Sequence, residues 1–550
     1  MQQIFKNAET KINFVDSIKS PQQLLRLPYG IGSIILYSFT DGSIQTKINI
    51  NYTELKFQKL KTMKTKKNIF TFIAFTSFSI ASFAQTNDDV LNLLTQKKTI
   101  SQEDADSLRA DAALKEQEAP KDKTFTIGGE IRTRTEYRNG YRNLIPKGDT
   151  SKPAYFTNQR TRISFTYEKR NRFILHTSIQ DVGVWGQNDP RSNGANIQLF
   201  EGYGQIFLHP KFSIKLGQQT FALDDGRLFA ENDWRVNGQV HDGVNFNFSG
   251  DRLSSQLFFA ENQTSSNNGV VNQPNGEPLF NTTYNPGTGV TNYKALGVHY
   301  LKYKITDALT IVTINSADGY QRANSRNGTN FRYTDGGRLT YEKGRFYATY
   351  SGYWQSGLDA SGNLLDAFYH QAEVKYTIPE SFTVRLGAEV MSGGNAKYKD
   401  ATTDHSFSPL YGVAHRFNGN MDFFTSFPAD VNNSGLINPY LFFTKTAGKK
   451  LTFRSDFHLF YSENSFYSPV LNKAKKVINL TPNAQYLGYE NDLGVIYKPQ
   501  PYITIDLGFS YAVADPSMAV IKKGGDTNYH PTWAYISVTL KPQLFKTTFK

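Results

Sequence analysis

Between Thr124 and Lys550 the sequence keeps one rhythm. Segments whose hydrophobicity repeats every second residue are joined alternately by tight turns and long polar loops. In Thr124–Arg138, Phe125, Ile127, Ile131 and Tyr137 fall on one parity; Glu130, Arg132, Arg134, Glu136 and Arg138 fall on the other. Ile163, Phe165 and Tyr167 oppose Arg160, Arg162, Ser164 and Glu168, and Leu451, Phe453, Phe457 and Leu459 oppose Arg454, Asp456 and His458. Phe382, Val384 and Leu386 likewise oppose Thr383, Arg385 and Glu389. Such alternation marks a strand with one apolar and one wet face. Tight turns fall at Arg170-Asn171, His209-Pro210, Ser249–Asp251, Thr306-Asp307, Glu342-Lys343, Pro379-Glu380, Ala447–Lys449 and Pro499–Pro501. Between them lie long loops such as Asn139–Asn158, Phe221–Gln239, Asn262–Thr291, Gly393–Ser434 and Glu463–Pro482. In lipid every backbone polar group needs a partner within the protein, so strands that cross a bilayer close on themselves. The pattern predicts an all-β transmembrane antiparallel β-barrel of about 18 strands, with short periplasmic turns, long extracellular loops and both termini periplasmic. A barrel of that size leaves an aqueous channel.

The composition fits: mean hydropathy is −0.48, yet the chain holds 32 Tyr and 41 Phe. One strand face in two is wet, and aromatic residues collect at the two membrane interfaces. Tyr350, Tyr353, Trp354, Tyr502, Tyr511, Trp533 and Tyr535 are read as such girdle residues. No run of 18 or more apolar residues is present, so no helical span is expected. Instead, Lys64, Lys66 and Lys67 precede the apolar run Ile69–Ile80, followed by Ser82-Phe83-Ala84. This is the layout of a signal peptide over 63–84, cleaved before Gln85, with Met63 as the start and 1–62 an over-extended, disordered leader. That segment carries much of the formal +13 charge: Met1–Ala84 holds 11 Lys/Arg and 4 Asp/Glu, leaving 50 against 44, about +6. A nucleic-acid partner loses its support accordingly. In Gln85–Lys123, Ser101-Gln-Glu-Asp104 resembles a capping box opening a short periplasmic helix, followed by a linker.

Several segments resemble the alginate export family of outer-membrane barrels, in the version common in Bacteroidetes. They are Gly128-Gly-Glu-Ile-Arg-Thr-Arg-Thr-Glu136; Gly217-Gln-Gln with Asp225-Gly-Arg227-Leu-Phe, Asp233-Trp234 and His241-Asp242-Gly243; and Ser392-Gly-Gly-Asn395 with Phe407-Ser-Pro-Leu-Tyr411-Gly and His415-Arg-Phe-Asn-Gly-Asn-Met-Asp-Phe423. The resemblance implies a monomeric 18-stranded barrel passing an anionic polysaccharide or other solutes through an electropositive constriction. Two departures stand out. Gln218 replaces the usual arginine after Gly217, and the chain ends Phe549-Lys550 rather than on the aromatic that outer-membrane assembly machinery recognises. Phe549 or Phe545 is expected to take that place.

Candidate functional residues follow from parity. Arg132, Arg134, Arg160, Arg162, Arg172, Arg385 and Arg454 are assigned to the lumen wall, where fixed guanidinium groups favour anions. Glu130, Glu136 and Asp456 share the wall as counter-charges, with Glu168 and Glu389. Asp225, Arg227, Asp233, Trp234 and Asp242, beside Asp224 and Arg235, form the densest polar cluster, read either as an inward-folded constriction or as a salt-bridged lid. His176-Thr-Ser178 places a His and a Ser two apart on the lumen side, away from lipid, with no third orienting group, which makes a weak hydrolase signal. The nine histidines show no metal-ligand spacing and there is no cysteine, so no cofactor or metal is expected. The expected partners are outer-membrane lipid, a small or polymeric polar solute and the assembly machinery. The functional reading is a passive channel for polar, anionic solutes, with an outer-membrane lipase or protease and a plugged surface-binding barrel as alternatives.

Overall fold

The computed structural model describes residues 36–40, 43–47, 87–96, 101–118, 121–189, 197–262, 293–321, 328–379, 381–398, 402–472 and 475–550. The expected signal peptide, Met63–Ala84, lies outside them, as does most of the Asn262–Thr291 loop. Two units separate, one ending at Leu114 and the other beginning at Lys115. The first holds a hairpin, Leu36–Thr40 paired with Ser43–Lys47, and the helices α1 (Asn87–Gln96) and α2 (Gln102–Glu118), the latter running on past Leu114. Helix α2 opens on a reciprocal box. The Asp104 N–H donates to Ser101 Oγ at 3.0 Å and the Ser101 N–H donates to Asp104 Oδ2 at 3.2 Å, which occupies donors the helix itself leaves free.

The second unit is a closed barrel. Its first nine strands are β1 (Lys123–Asn139), β2 (Ala154–Lys169), β3 (Phe173–Val184), β4 (Gln198–His209), β5 (Phe212–Gln219), β6 (His241–Ser249), β7 (Leu253–Glu261), β8 (Ala295–Lys304) and β9 (Leu309–Gln321). The rest are β10 (Thr329–Lys343), β11 (Phe346–Leu358), β12 (Leu364–Ile378), β13 (Phe382–Met391), β14 (Leu436–Ala447), β15 (Leu451–Ser462), β16 (Tyr486–Gln500), β17 (Ile503–Ala514) and β18 (Thr532–Leu540, resumed at Gln543–Phe549). Each runs antiparallel to the next, and β18 meets β1, giving 18 strands and no free edge. Turns of two to four residues close one end and the longer connections the other. The link from β11 to β12, 359–363, breaks the length rule, being short although it sits at the loop end.

The side chains are sorted inside out relative to a soluble protein. Leu386 is 57% exposed while Glu389, three residues on and facing inward, is 1% exposed. Ile131, Leu175 and Phe453 lie outward in the same way, and Glu130, Arg160 and Asp456 lie inward. Oil outside and charge inside is what a lipid-facing barrel requires. Parity also corrects the girdle reading. Tyr350, Trp354 and Tyr502 are outward and exposed, but Tyr353, Trp533 and Tyr535 point into the lumen. Trp533 is fully buried there, its indole N–H donating to Glu136 Oε2 at 3.0 Å.

The closing seam is interrupted. Thr532–Leu540 pairs with Ile131–Asn139, and Gln543–Phe549 pairs with Lys123–Gly128. Between them Pro542 has no N–H to give, but its carbonyl accepts from the Gly129 N–H at 3.1 Å, so the ladder bends without breaking. Beyond the bend, Phe545 lies 6.4 Å from Phe125 and Phe549 lies 6.0 Å from Tyr167, ring to ring.

Candidate pore constriction

Two long connections turn into the lumen: 220–240, between β5 and β6, and 392–435, between β13 and β14. Their apolar residues explain why. Phe221, Leu223, Leu228 and Phe229 of the first cluster with Met421, Phe423 and Phe424 of the second, against Phe258, Leu296, Val298 and Phe460 on the inner wall. Phe221 stacks on Phe258 with centroids 4.0 Å apart, and Phe424 meets Phe460 at 4.8 Å. Full burial of a side chain of this size contributes about 1.5–3 kcal/mol. The loops then join each other. The Tyr411 N–H donates to the Leu228 carbonyl at 2.9 Å, the Ala230 N–H to the Tyr411 carbonyl at 3.2 Å and the Val413 N–H to the Gly226 carbonyl at 3.0 Å. At the crossing, a Cβ on Gly412 would overlap the Arg227 carbonyl, so no larger residue fits.

Ion pairs pin the first loop to strands on two sides of the ring. Arg227, almost wholly buried, lies 3.0 Å from Glu389 of β13, donates to Asn418 at 3.0 Å and faces the Tyr369 ring at 5.2 Å. Asp224 and Asp225 meet Arg338 of β10 at 2.6 and 3.4 Å. Burial pushes the Asp224 carboxyl up, and Arg338 offsets this only in part. Across the lumen Asp233 lies 2.8 Å from Arg160 and 3.4 Å from Arg132. Trp234 is held between the Arg134 guanidinium, 4.1 Å from its ring, and His415, stacked at 4.5 Å. Replacing Trp234 with alanine removes both contacts, which are worth about 1–2 kcal/mol together. Faster trypsin cleavage after Arg235 in the detergent-solubilised protein is the expected result.

The second loop is anchored on β16, where the Met421 N–H donates to Glu490 at 2.7 Å and the Asn420 N–H to Asp492 at 3.1 Å. Asp422 accepts from His415 at 2.7 Å and from the Tyr141 hydroxyl. Burial alone would raise the Asp422 carboxyl, but His415, Tyr141 and Arg142 outweigh it and hold it below its ordinary 3.8. A depressed carboxyl contributes stability above its unfolded value and loses it as pH falls through the folded one. The anchor is therefore expected to persist to below pH 3.8, checked by trypsin-free measures such as Trp fluorescence across acid pH.

The wall arginines read from parity form pairs, which leaves few of them free. Arg160 binds Glu130 as well as Asp233; Arg134 and Arg138 share Glu136 at 2.8 and 2.7 Å; Arg385 meets Glu373 at 2.6 Å; and Arg454 meets Asp456. Arg162 donates to Gln180 at 2.7 Å and stacks over Phe200 at 3.5 Å. Two placements differ from expectation. Arg172 lies exposed in the β2–β3 turn rather than on the wall, because β3 begins only at Phe173. Asp242 is the second residue of β6, exposed, and shares the outward parity of Val244 and Phe246, so it stands apart from the ion-paired loop cluster. Strand parity missed Arg235 and Arg416. Both sit on the inward loops, both are exposed, and among the described residues neither makes an ion pair. Arg235 lines a loop-end vestibule of about 1100 Å³, and Arg416 lines a cavity of about 390 Å³ on the turn side with Asp225, Arg454 and Asp506. The only sequence signal for Arg416 is its place in the His415–Phe423 segment.

The hydrolase pair does not assemble. His176 Nδ1 bonds Thr166 at 2.8 Å and its ring stacks on Tyr203 at 4.9 Å, while Ser178 Oγ is buried with no hydrogen-bond partner. Among the described residues no group of three or more His, Asp or Glu is placed to hold a metal ion.

The alginate export family model matches residues 124–530, from β1 to the last loop. The chain belongs to the alginate export family. Its family and fold are those of outer-membrane channels, not of enzymes, and it is a porin-like channel for solutes. Among solved structures the chain is similar to OccAB4 of Acinetobacter baumannii, at 11% identity over 78% of this chain and 100% of that one, with a TM-score of 0.49. It is similar also to OccK11 and OccK3 of Pseudomonas aeruginosa, at 10% and 14% identity, each over 76% of this chain and 96% of the other, with TM-scores of 0.48 and 0.47. No curated protein matches the chain.

Proposed function

We propose that this family member passes polar anions, whether small carboxylates or an acidic polysaccharide, passively across the outer membrane. The observation that carries the reading is the distribution of partners. The wall arginines are engaged by carboxylates or amides, whereas Arg235 and Arg416 stand exposed on the inward loops, one in the vestibule and one in the smaller cavity. A guanidinium keeps its charge and offers a planar fork to a carboxylate. An anion would meet Arg235 first and Arg416 next, while Asp225, Glu231 and Asp506 beside Arg416 keep binding weak enough for release. In this reading the protein works as a monomer, the turns face the periplasm, and Met63–Ala84 is removed as a signal peptide.

Planar-bilayer recording of the purified protein under a KCl gradient tests the proposal. Discrete conductance with a reversal potential on the chloride side is expected. A cation-side reversal would overturn the anion reading, and absence of conductance would mean that the crossed loops plug the barrel.

A further inference from the structure

We infer that the side chain of Asn232 is the latch between the vestibule and the smaller cavity, and so sets the size of solute that passes. The two spaces, about 1100 and about 390 Å³, are parted by a wall one chain thick. On the second loop Gly412 and Ala414 line the vestibule, while Val413 between them lines the smaller cavity. On the first loop Ala230 and Glu231 line the smaller cavity, and Arg235 and Gln239 line the vestibule. Among the described residues Asn232 alone lines both.

Backbone pairing seals most of this wall. Gly226–Ala230 is bonded to Tyr411–Val413, and the apolar cluster around Phe229 and Phe423 fills the space beside it. Past Ala230, among the described residues, no backbone hydrogen bond joins the two loops, and a carboxamide takes over. Asn232 Nδ2 donates to Gln239 Oε1 at 2.8 Å and, at a longer 3.3 Å, to the Gly412 carbonyl. Gln239 is itself fixed, its Nε2 donating to the Tyr411 carbonyl at 2.8 Å and the Ala230 carbonyl at 3.2 Å. The backbone of Asn232 is left-handed, with φ 48°, a conformation that glycine adopts freely and asparagine tolerates. The side chain is thus held by two neutral hydrogen bonds, which an oxygen of water or of the solute can replace as the carboxamide turns aside. Ion pairs of Arg227 and Asp233 fix the loop on either side, so the side chain can yield without the loop leaving its seat. Selection by size here is separate from selection by charge, because Arg235 and Arg416 stand on opposite sides of the latch.

The chain has no cysteine, so Asn232→Cys carries a single thiol. With the full-length protein in planar bilayers, a bulky neutral methanethiosulfonate is expected to cut the current of this variant several-fold from either face. The same reagent on Ser361→Cys, which lines the vestibule only, should leave the current near its starting value. Asn232→Gly keeps the left-handed backbone and removes the carboxamide. A several-fold larger conductance is expected there, with entry of larger polyethylene glycols than the wild type admits. Conductance and exclusion limit unchanged in Asn232→Gly, or a current through Asn232→Cys that the reagent leaves untouched, would overturn the inference. So would a gain in Asn232→Gly accompanied by faster trypsin cleavage after Arg235, which would mean that the whole loop had left the wall. Conductance in Asn232→Gly but not in the wild type supports a latch that rests closed. Silence in both would overturn it in favour of a plug made by the loop crossing as a whole. Should the thiol variant not insert, Asn232→Gly decides alone.

Discussion

Replacing Arg227 with alanine is expected to free the 220–240 loop from the wall and give larger, noisier single-channel currents than the wild type. Arg227 and Glu389 are each 1% exposed and 3.0 Å apart. Without the guanidinium, Glu389 keeps hydrogen bonds from Tyr369, Asn418 and Asn438 but loses its only counter-charge among the described residues. Stranding a buried charge in this way costs about 3–5 kcal/mol, which shifts the equilibrium between seated and released loop by roughly two to four powers of ten. The apolar contacts of Phe221 and Phe229 and the Asp224–Arg338 pair oppose release, so partial opening is the minimum effect. Adding Glu389→Gln removes the stranded charge and should return the currents toward the wild type, a non-additive outcome that separates loop anchoring from general damage. Unaltered conductance in Arg227→Ala would show that current does not pass the loop crossing.

Arg416→Glu is expected to produce the largest change in ion preference. The side chain is exposed and without an ion pair, so the substitution leaves folding nearly untouched. It replaces a positive charge by a negative one in the smaller cavity, beside Asp225, Glu231 and Asp506. The reversal potential should move to the cation side. Arg235→Glu should move it in the same direction by less, since the vestibule is the wider space, about 1100 against about 390 Å³. Arg385→Gln, which breaks a wall pair with Glu373, should move it least. A larger shift from Arg385→Gln than from Arg416→Glu would sink the assignment of preference to the loop arginines.

Strand parity could be read wherever the inner face is wet. In β1, β2, β13 and β15 the charged residues picked from alternation do face inward. It fails in β8 and β9, where Leu296, Val298, Val312 and Ile314 are inward and apolar while Leu301, Tyr303 and Ile311 occupy the other face. Both faces are oily there because one meets lipid and the other meets the inward loops. The loops themselves were harder to read. Arg227 finds Glu389, and Leu228 finds Tyr411, across more than a hundred and fifty residues of chain, and no local periodicity encodes such a contact. Arg172 shows the opposite weakness: a strand that begins one residue later turns a wall residue into a turn residue. Asp225, Arg227, Asp233 and Trp234 were legible as a cluster because polar density on a long loop is itself unusual, and the ion pairs of Asp225, Arg227 and Asp233 brace the inward loop against Arg338, Glu389 and Arg160.

The bent seam at Pro542 makes the barrel answer to its own tail. Every other strand can find its neighbour as soon as the next hairpin exists, but Lys123–Gly128 on β1 gains its second neighbour only from Gln543–Phe549. A chain cut before Gln543 would leave that stretch as a raw edge on an otherwise finished cylinder, open to any strand able to add to it. The six paired positions of Gln543–Phe549 thus cover the one stretch of β1 that the preceding strand segment leaves open.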